Sequence, residues 1–308
     1  MDPILVAGND KLTFSVVVCL LQAKHPVTLF TENRDSAIKS INTHLADLSQ
    51  IPSQLARQAK LAVTDQLNQK LDYKLAVAVT SEDLSQKKAL IQRLEKALTS
   101  EAVIAINTES IPLMDLQQGS RYPSRIIGVN WVEPAHTTYF LEIITNGQSN
   151  KDQTDYLFSL AKDWWNKDPY LVKNDVSIRA KMFAAMVREA FYLVQNGYAS
   201  VEDIDRACRN DAGYYLPFAG NCRYMDLMGT YAYGMVMKDL NPELSKDRHL
   251  PEFFNNIIAA GGSGMENGKG FYEYEKEDAK RWDTLFRKFS YQIQEIISKY
   301  PFNYESKI

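Results

Sequence analysis

The chain reads as α/β: an N-terminal, mostly parallel sheet covered by helices, followed by an all-helical C-terminal domain. Three observations carry that reading. Short, fully apolar runs recur through the first half, among them Ile4-Leu5-Val6-Ala7 and Leu75-Ala76-Val77-Ala78-Val79, and uninterrupted apolar strands belong to sheets buried on both faces. Stretches of helical period separate these runs, which is the alternation of βαβ units. After about residue 174 the strand-like runs stop and helical periods take over.

In chain order, the first strand ends at Gly8, and residues 12–24 form a helix that is apolar nearly all round. Val27-Thr28-Leu29-Phe30 is the second strand, followed by helical patterns over 33–48 and 53–70. The strand at 75–79 leads to a strongly amphipathic helix at 83–98. Further strands follow at Val103-Ile104-Ala105-Ile106, Ile126-Ile127-Gly128-Val129 and 139–144. In the second half, helical periods cover 176–196, 201–211, 222–238, 250–260 and 275–299. The turn Gln195-Asn196-Gly197 and the acidic start Val201-Glu202-Asp203 mark one helix ending and the next beginning. A boundary inside Lys173-Asn174-Asp175 divides the 308 residues into domains 1–174 and 175–308, close to the usual size of roughly 150 residues each.

Composition narrows the function classes. A hydrophobic fraction of 45% and a charged fraction of 24% describe an ordinary soluble globular protein. The net charge of −3 and the absence of Lys/Arg-rich blocks argue against nucleic acid. No window approaches the roughly 20 apolar residues of a membrane span. The start Met1-Asp2-Pro3 passes at once into a strand, which leaves no room for a targeting peptide and implies a cytoplasmic protein. Cys19, Cys208 and Cys222 are odd in number and lack metal-like spacing, so they read as reduced core thiols, and no metal site is expected.

The opening strand–turn–helix is Rossmann-like. Such a turn normally carries three glycines: for the tight bend, for close approach of backbone to a diphosphate, and for helix–strand packing. Here it reads Gly8-Asn9-Asp10-Lys11-Leu12-Thr13, and only the first glycine is present. Asp10 adds bulk and negative charge at the point of closest approach and can itself cap the helix. The acidic residue that would hold a ribose is Thr31, with Glu32 one place later and, by strand alternation, facing elsewhere. Support for NAD from this turn is therefore weak.

Three collinear stretches resemble the 3-hydroxyacyl-CoA dehydrogenase family. The first comprises Ala105-Ile106-Asn107-Thr108-Glu109-Ser110-Ile111, Arg125-Ile126-Ile127-Gly128 and Leu141-Glu142-Ile143. The second runs from Arg188-Glu189-Ala190 through Asn196-Gly197-Tyr198-Ala199-Ser200-Val201-Glu202-Asp203-Ile204-Asp205. The third is Gly268-Lys269-Gly270-Phe271-Tyr272-Glu273-Tyr274. The resemblance implies an NAD-dependent oxidoreductase of fatty acid metabolism, acting on acyl-CoA substrates and dimerising through its helical domain. It also implies a catalytic His oriented by a Glu, with a Ser and Asn residues holding the reacting oxygen.

Carried across, the His position is Asn130, the orienting Glu is Glu142, the Ser becomes Glu109, and the Asn of the turn becomes Glu133. A further Asn, in the first helix of the second domain, falls on Ala180. On the cofactor side, Gly8, Asn9, Asp10, Leu12, Thr31, Glu32, Glu82, Lys87 and Asn107 match contact positions, while Glu266 stands where the family has a Lys. If the family geometry holds, Glu109, Glu133 and Glu142 share one cleft. An amide is no base, and general-base catalysis contributes typically ~10²–10⁴ in rate. The reading that follows is a catalytically impaired or repurposed relative that keeps acyl-CoA or nucleotide binding. Two alternatives stay open: an active oxidoreductase with a relocated base, for which His136 is the candidate, and an interaction protein with idle pockets. The Met and aromatic residues of the second domain read as core or dimer seam, and Trp164-Trp165 as packing at the domain junction.

Overall fold

The structure, a computed structural model, describes residues 1–49, 59–67 and 71–302. The chain divides into two compact units, Met1–Lys181 and Met182–Ile308.

The first unit is built on an eight-stranded sheet. Its strands are β1 (Ile4–Ala7), β2 (Val27–Phe30), β3 (Leu61–Thr64), β4 (Leu75–Ala78), β5 (Val103–Ile106), β6 (Ile126–Asn130), β7 (Phe140–Ile144) and β8 (Asp168–Val172). They lie in the order β3-β2-β1-β4-β5-β6-β7-β8, all neighbours parallel except β6 and β7. The helices α1 (Lys11–Gln22), α2 (Arg34–Ser49), α3 (Leu84–Ala97), α4 (Leu113–Gln117) and α5 (Lys151–Asp163) connect them. Every residue of β1, β4 and β5 is buried, as befits strands covered on both faces. Helix α1 is buried continuously from Thr13 to Leu21, so its near-uniform apolarity marks a helix enclosed by its surroundings.

Two strands depart from the sequence reading. Residues 61–64 fall inside the predicted helix 53–70 yet form β3, paired with β2 from Val27↔Leu61 to Phe30↔Thr64. At the sheet edge, Leu-Ala-Val-Thr gains ladder bonds that local helical pattern does not anticipate. Residues 53–58 and 68–70 of that predicted helix lie outside the described residues. The other edge strand, β8, carries Asp168 and Pro169, a composition that reads poorly as strand and that sheets accept at their edges.

Trp165 is part of this unit's core. It stacks on Trp131 with ring centroids 5.5 Å apart, and its Nε1 donates to His25 Nε2 at 3.1 Å. Trp164, by contrast, is exposed.

The second unit holds most of α6 (Ile178–Gln195), then α7 (Val201–Ala207), α8 (Gly213–Met228), α9 (Thr230–Leu240), α10 (Glu252–Ala259) and α11 (Asp278–Lys299). Ser200 and Asp203 form a reciprocal capping box at the start of α7. The predicted helix at 222–238 is in fact two: Gly229, at φ 111°, separates α8 from α9. Cys208 and Cys222 are exposed rather than core thiols, while Cys19 is buried. Helices α6, α7, α9 and α10 bury no residue at all. No helix among the described residues is long and apolar enough to cross a membrane.

Candidate functional site

Between β1 and β4 the strand order reverses, which is where sheets of this kind open a crevice at the carboxyl ends of their strands. A cleft of about 520 Å³ lies there, lined by the ends of β1, β2 and β4 and by α3. Gly8 keeps the bend tight: a Cβ at this position would lie 2.3 Å from both the Val79 carbonyl oxygen and Thr13 Oγ1.

Beyond Gly8 the turn departs from a diphosphate cradle. Asp10 caps α1, its Oδ1 accepting from the Thr13 N–H at 2.8 Å and the Thr13 hydroxyl at 2.6 Å. The carboxylate therefore occupies the positive end of the helix that a diphosphate would use. Thr13 is fully buried where a third glycine would leave room. The residues present fit the adenosine end of NAD but not its diphosphate.

Asn9 ties this turn to β2. Its Oδ1 accepts from the Thr31 hydroxyl at 2.7 Å and the Glu32 N–H at 2.9 Å. Thr31, though buried, and Glu32 both line the cleft, Glu32 against the expectation from alternation. The strand ends at Phe30, so the alternating rule no longer governs the residues after it. The Glu32 carboxylate lies 3.7 Å from the Arg93 guanidinium, which sits 4.7 Å from the centroid of the Phe30 ring. Leu12 is not among the lining residues; its carbonyl accepts from Ser15 at 3.1 Å.

Glu82, Lys87 and Asn107 bond to one another and are not among the lining residues of the cleft; Lys87 is buried, Asn107 half-buried and Glu82 exposed. Lys87 Nζ donates to the Asn107 carbonyl at 2.7 Å and to Asn107 Oδ1 at 3.1 Å, and lies 3.2 Å from Glu82. Glu82 Oε1 accepts the backbone N–H groups of Glu109, Ser110 and Ile111 at 2.7–3.0 Å. Burial alone would raise the Glu82 pKa; these donors and the ammonium together hold it below the usual range. Burial lowers the Lys87 pKa, with Glu82 opposing.

The position carried across from the family's imidazole is wholly occupied by the Asn130 amide. Asn130 Oδ1 accepts from the Thr108 N–H at 2.8 Å, and Nδ2 donates to the Thr108 carbonyl at 2.7 Å and to Glu142 at 2.9 Å. Glu142 is fully buried. It also accepts from Tyr170 at 3.1 Å and from the N–H groups of Ile178 and Arg179 at 2.8 and 3.2 Å, capping α6. Burial, then the Glu142 charge, push the Tyr170 phenol up.

Each of the three carboxylates has found its own donors. Glu109 pairs with Arg179 at 2.5 Å, both about one-third exposed or more. Glu133 turns toward α1 and α2, accepting from the Ser15 hydroxyl, with its Oε1 3.8 Å from His44 Nε2. His136 is buried edge-on against His44 at 4.8 Å. Ala180 donates its N–H to Ser177 Oγ at 2.9 Å. Among the described residues, no group of three His, Cys, Asp or Glu could hold a metal ion. Sequence reasoning missed Phe30, Arg93, Tyr170 and Arg179. Arg179 is 70 residues from Glu109, and nothing local in the sequence links them.

Residues 5–176 match the 3-hydroxyacyl-CoA dehydrogenase NAD binding domain, and residues 178–274 match the C-terminal domain of the same family. The chain is 27% identical over 213 residues to the 5-formyl-3-hydroxy-2-methylpyridine 4-carboxylate 5-dehydrogenase of Mesorhizobium japonicum, covering 67% of each chain. It is 22% identical over 296 residues to the probable 3-hydroxybutyryl-CoA dehydrogenase of Bacillus subtilis, covering 89% of this chain and 98% of that one. Among solved structures, the crystal structure of a 5-formyl-3-hydroxy-2-methylpyridine 4-carboxylic acid 5-dehydrogenase, an NAD+ dependent dismutase, superposes with a TM-score of 0.89. It is 20% identical, covering 97% of this chain and 99% of that one. FadB2 of M. tuberculosis follows at 0.70 and 22% identity, covering 89% and 99%.

Proposed function

The chain belongs to the 3-hydroxyacyl-CoA dehydrogenase family, and from that premise we propose that it is a ligand-binding member that does not perform the family's dehydrogenation. One observation carries the proposal: the buried Asn130 amide, with both its polar atoms engaged, stands between Thr108 and Glu142 at the position aligned with the family's imidazole. An amide has no lone pair basic enough to accept a carbinol proton near neutral pH, so Glu142 has no base to orient. It serves instead as the cap of α6. Asp10 weakens the same chemistry from the cofactor side.

The test is NADH oxidation by acetoacetyl-CoA, with a working family member as reference. The wild-type protein is expected to fall below the reference by at least ~10²–10⁴. Restoring Asn130→His, Glu109→Ser, Glu133→Asn and Ala180→Asn together is expected to leave turnover low. Adding Asp10→Gly and Thr13→Gly is expected to raise it. Turnover in the wild-type protein comparable to the reference would end the proposal.

A second reading is favoured by Arg179, whose part-exposed guanidinium faces Glu109. It is an oxidoreductase for a small carboxylate, the chemistry in the name of the Mesorhizobium relative. The same assay with that relative's aldehyde acid decides between the two.

We also place the protein in the cytoplasm as a homodimer. The large apolar side chains that the second unit leaves open, Phe183, Tyr231 and Phe286 among them, support a second copy as their cover. A unit of this size normally buries most such groups.

A further inference from the structure

We infer that the cleft at the β1–β4 reversal takes a nucleoside without phosphate groups, a flat base joined to a vicinal diol, and discriminates against dinucleotides. This rests on the reading of the chain as a non-catalytic member, and it names the ligand class of that cleft.

The base end is formed by Arg93. Its guanidinium lies over the Phe30 ring, 4.7 Å from the centroid, and Leu90 and Val79 are also in the lining. A guanidinium backed by a ring offers a planar face on which a purine stacks. At the diol end, Glu32 lines the cleft with its carboxylate 3.7 Å from Arg93, and its backbone is pinned by Asn9 at 2.9 Å. A carboxylate near the end of β2 is the acceptor a ribose diol needs.

The phosphate end is where the cleft turns away from a dinucleotide. The Asp10 carboxylate takes the Thr13 N–H and hydroxyl at 2.8 and 2.6 Å, so the helix terminus is already met by an anion. Of the charged side chains lining the cleft among the described residues, Asp10 and Glu32 are anionic and Arg93 is the cation, already beside Glu32. Each phosphate added to the ligand brings negative charge toward a carboxylate with no cation of the lining left to answer it.

The experiment is isothermal titration of the full chain with adenosine, AMP, ADP and NAD+, at low and high salt. It is run on the wild type, Asp10→Asn and Arg93→Ala. Asn caps a helix as well as Asp does, so Asp10→Asn keeps the turn folded while removing the charge. Adenosine is expected to bind tightest, with ADP and NAD+ weaker by at least about tenfold and the gap narrowing in salt. Asp10→Asn is expected to close most of that gap, and Arg93→Ala to weaken all four ligands. The inference is overturned if ADP or NAD+ binds the wild type as tightly as adenosine, if the gap ignores Asp10→Asn, or if adenosine does not bind. The ranking of nucleosides is read as heat, whereas the dehydrogenation question is read as NADH oxidation, so a failure of the inference and a failure of the reading beneath it show in different measurements.

Discussion

Asn130 changes the work of the carboxylate beside it. Glu142 is fully buried and gathers four donors, from Asn130, Tyr170, Ile178 and Arg179, so its charge is met by hydrogen bonds. Replacing Asn130→Asp would set a second carboxylate at the Asn130 Nδ2 position, 2.9 Å from the first. Two such groups cannot both ionise cheaply. The variant is expected to unfold at lower urea than wild type at neutral pH and to recover part of the difference as pH falls and the pair takes up a proton. A neutral-pH midpoint equal to wild type would contradict this account. His25 gives a second pH signature. Trp165 Nε1 can only donate, so His25 Nε2 must be unprotonated, and Nδ1–H faces the Asp2 carbonyl at 2.8 Å. Burial lowers its pKa. The unfolded chain therefore binds the proton better, and the stability this neutral ring supplies is present above pH ~6.5 and lost as pH falls through the folded value. The urea midpoint is expected to drop from slightly alkaline to mildly acidic buffer, and the drop to shrink in His25→Gln.

At the scale of elements, the loops at the carboxyl ends of β4 and β5 are locked by Lys87. Its side chain has no exposed surface and reaches Glu82, the Thr80 carbonyl and Asn107. Glu82 in turn collects the N–H groups of residues 109–111. Removing one partner of such a pair leaves a buried charge unanswered, with a cost on the order of 3 kcal/mol. Glu82→Ala is expected to lower unfolding free energy by that amount in denaturant titration, and a change within ~0.5 kcal/mol would mean the network is not structural. These residues stood in the sequence reading as cofactor contacts. A carboxylate, an ammonium and an amide are the groups of a binding set, and they are also groups that satisfy one another.

At the scale of the whole molecule, the two units differ in kind. The first encloses a continuous apolar core between its sheet and helices. In the second, Ala219 is the only hydrophobic residue among those described that counts as buried, while Met182, Leu227, Trp282 and Phe289 are exposed by half or more. Exposed apolar surface spread over several helices is what the proposed second copy would cover. Light scattering behind size exclusion is expected to report twice 35.1 kDa at micromolar concentration, and Phe286→Glu to shift the population toward the single chain. A wild-type protein that remains a single chain across that range would remove the second copy from the proposal.

By itself the sequence determined the alternation of buried strands and helices, the change to an all-helical second half, and the family, because periodicity and collinear motifs are local and survive in one dimension. It also put an amide, Asn130, at the position carried across from the family's imidazole, since residue identity needs no coordinates. Only the tertiary structure decided where side chains spend their charge. Glu133 turns to Ser15 and His44, Glu109 to Arg179, and Glu32 into the cleft. Those choices depend on partners up to 118 residues away in the chain. A carboxylate goes to the nearest uncommitted donor in space, and distance along the sequence does not measure that.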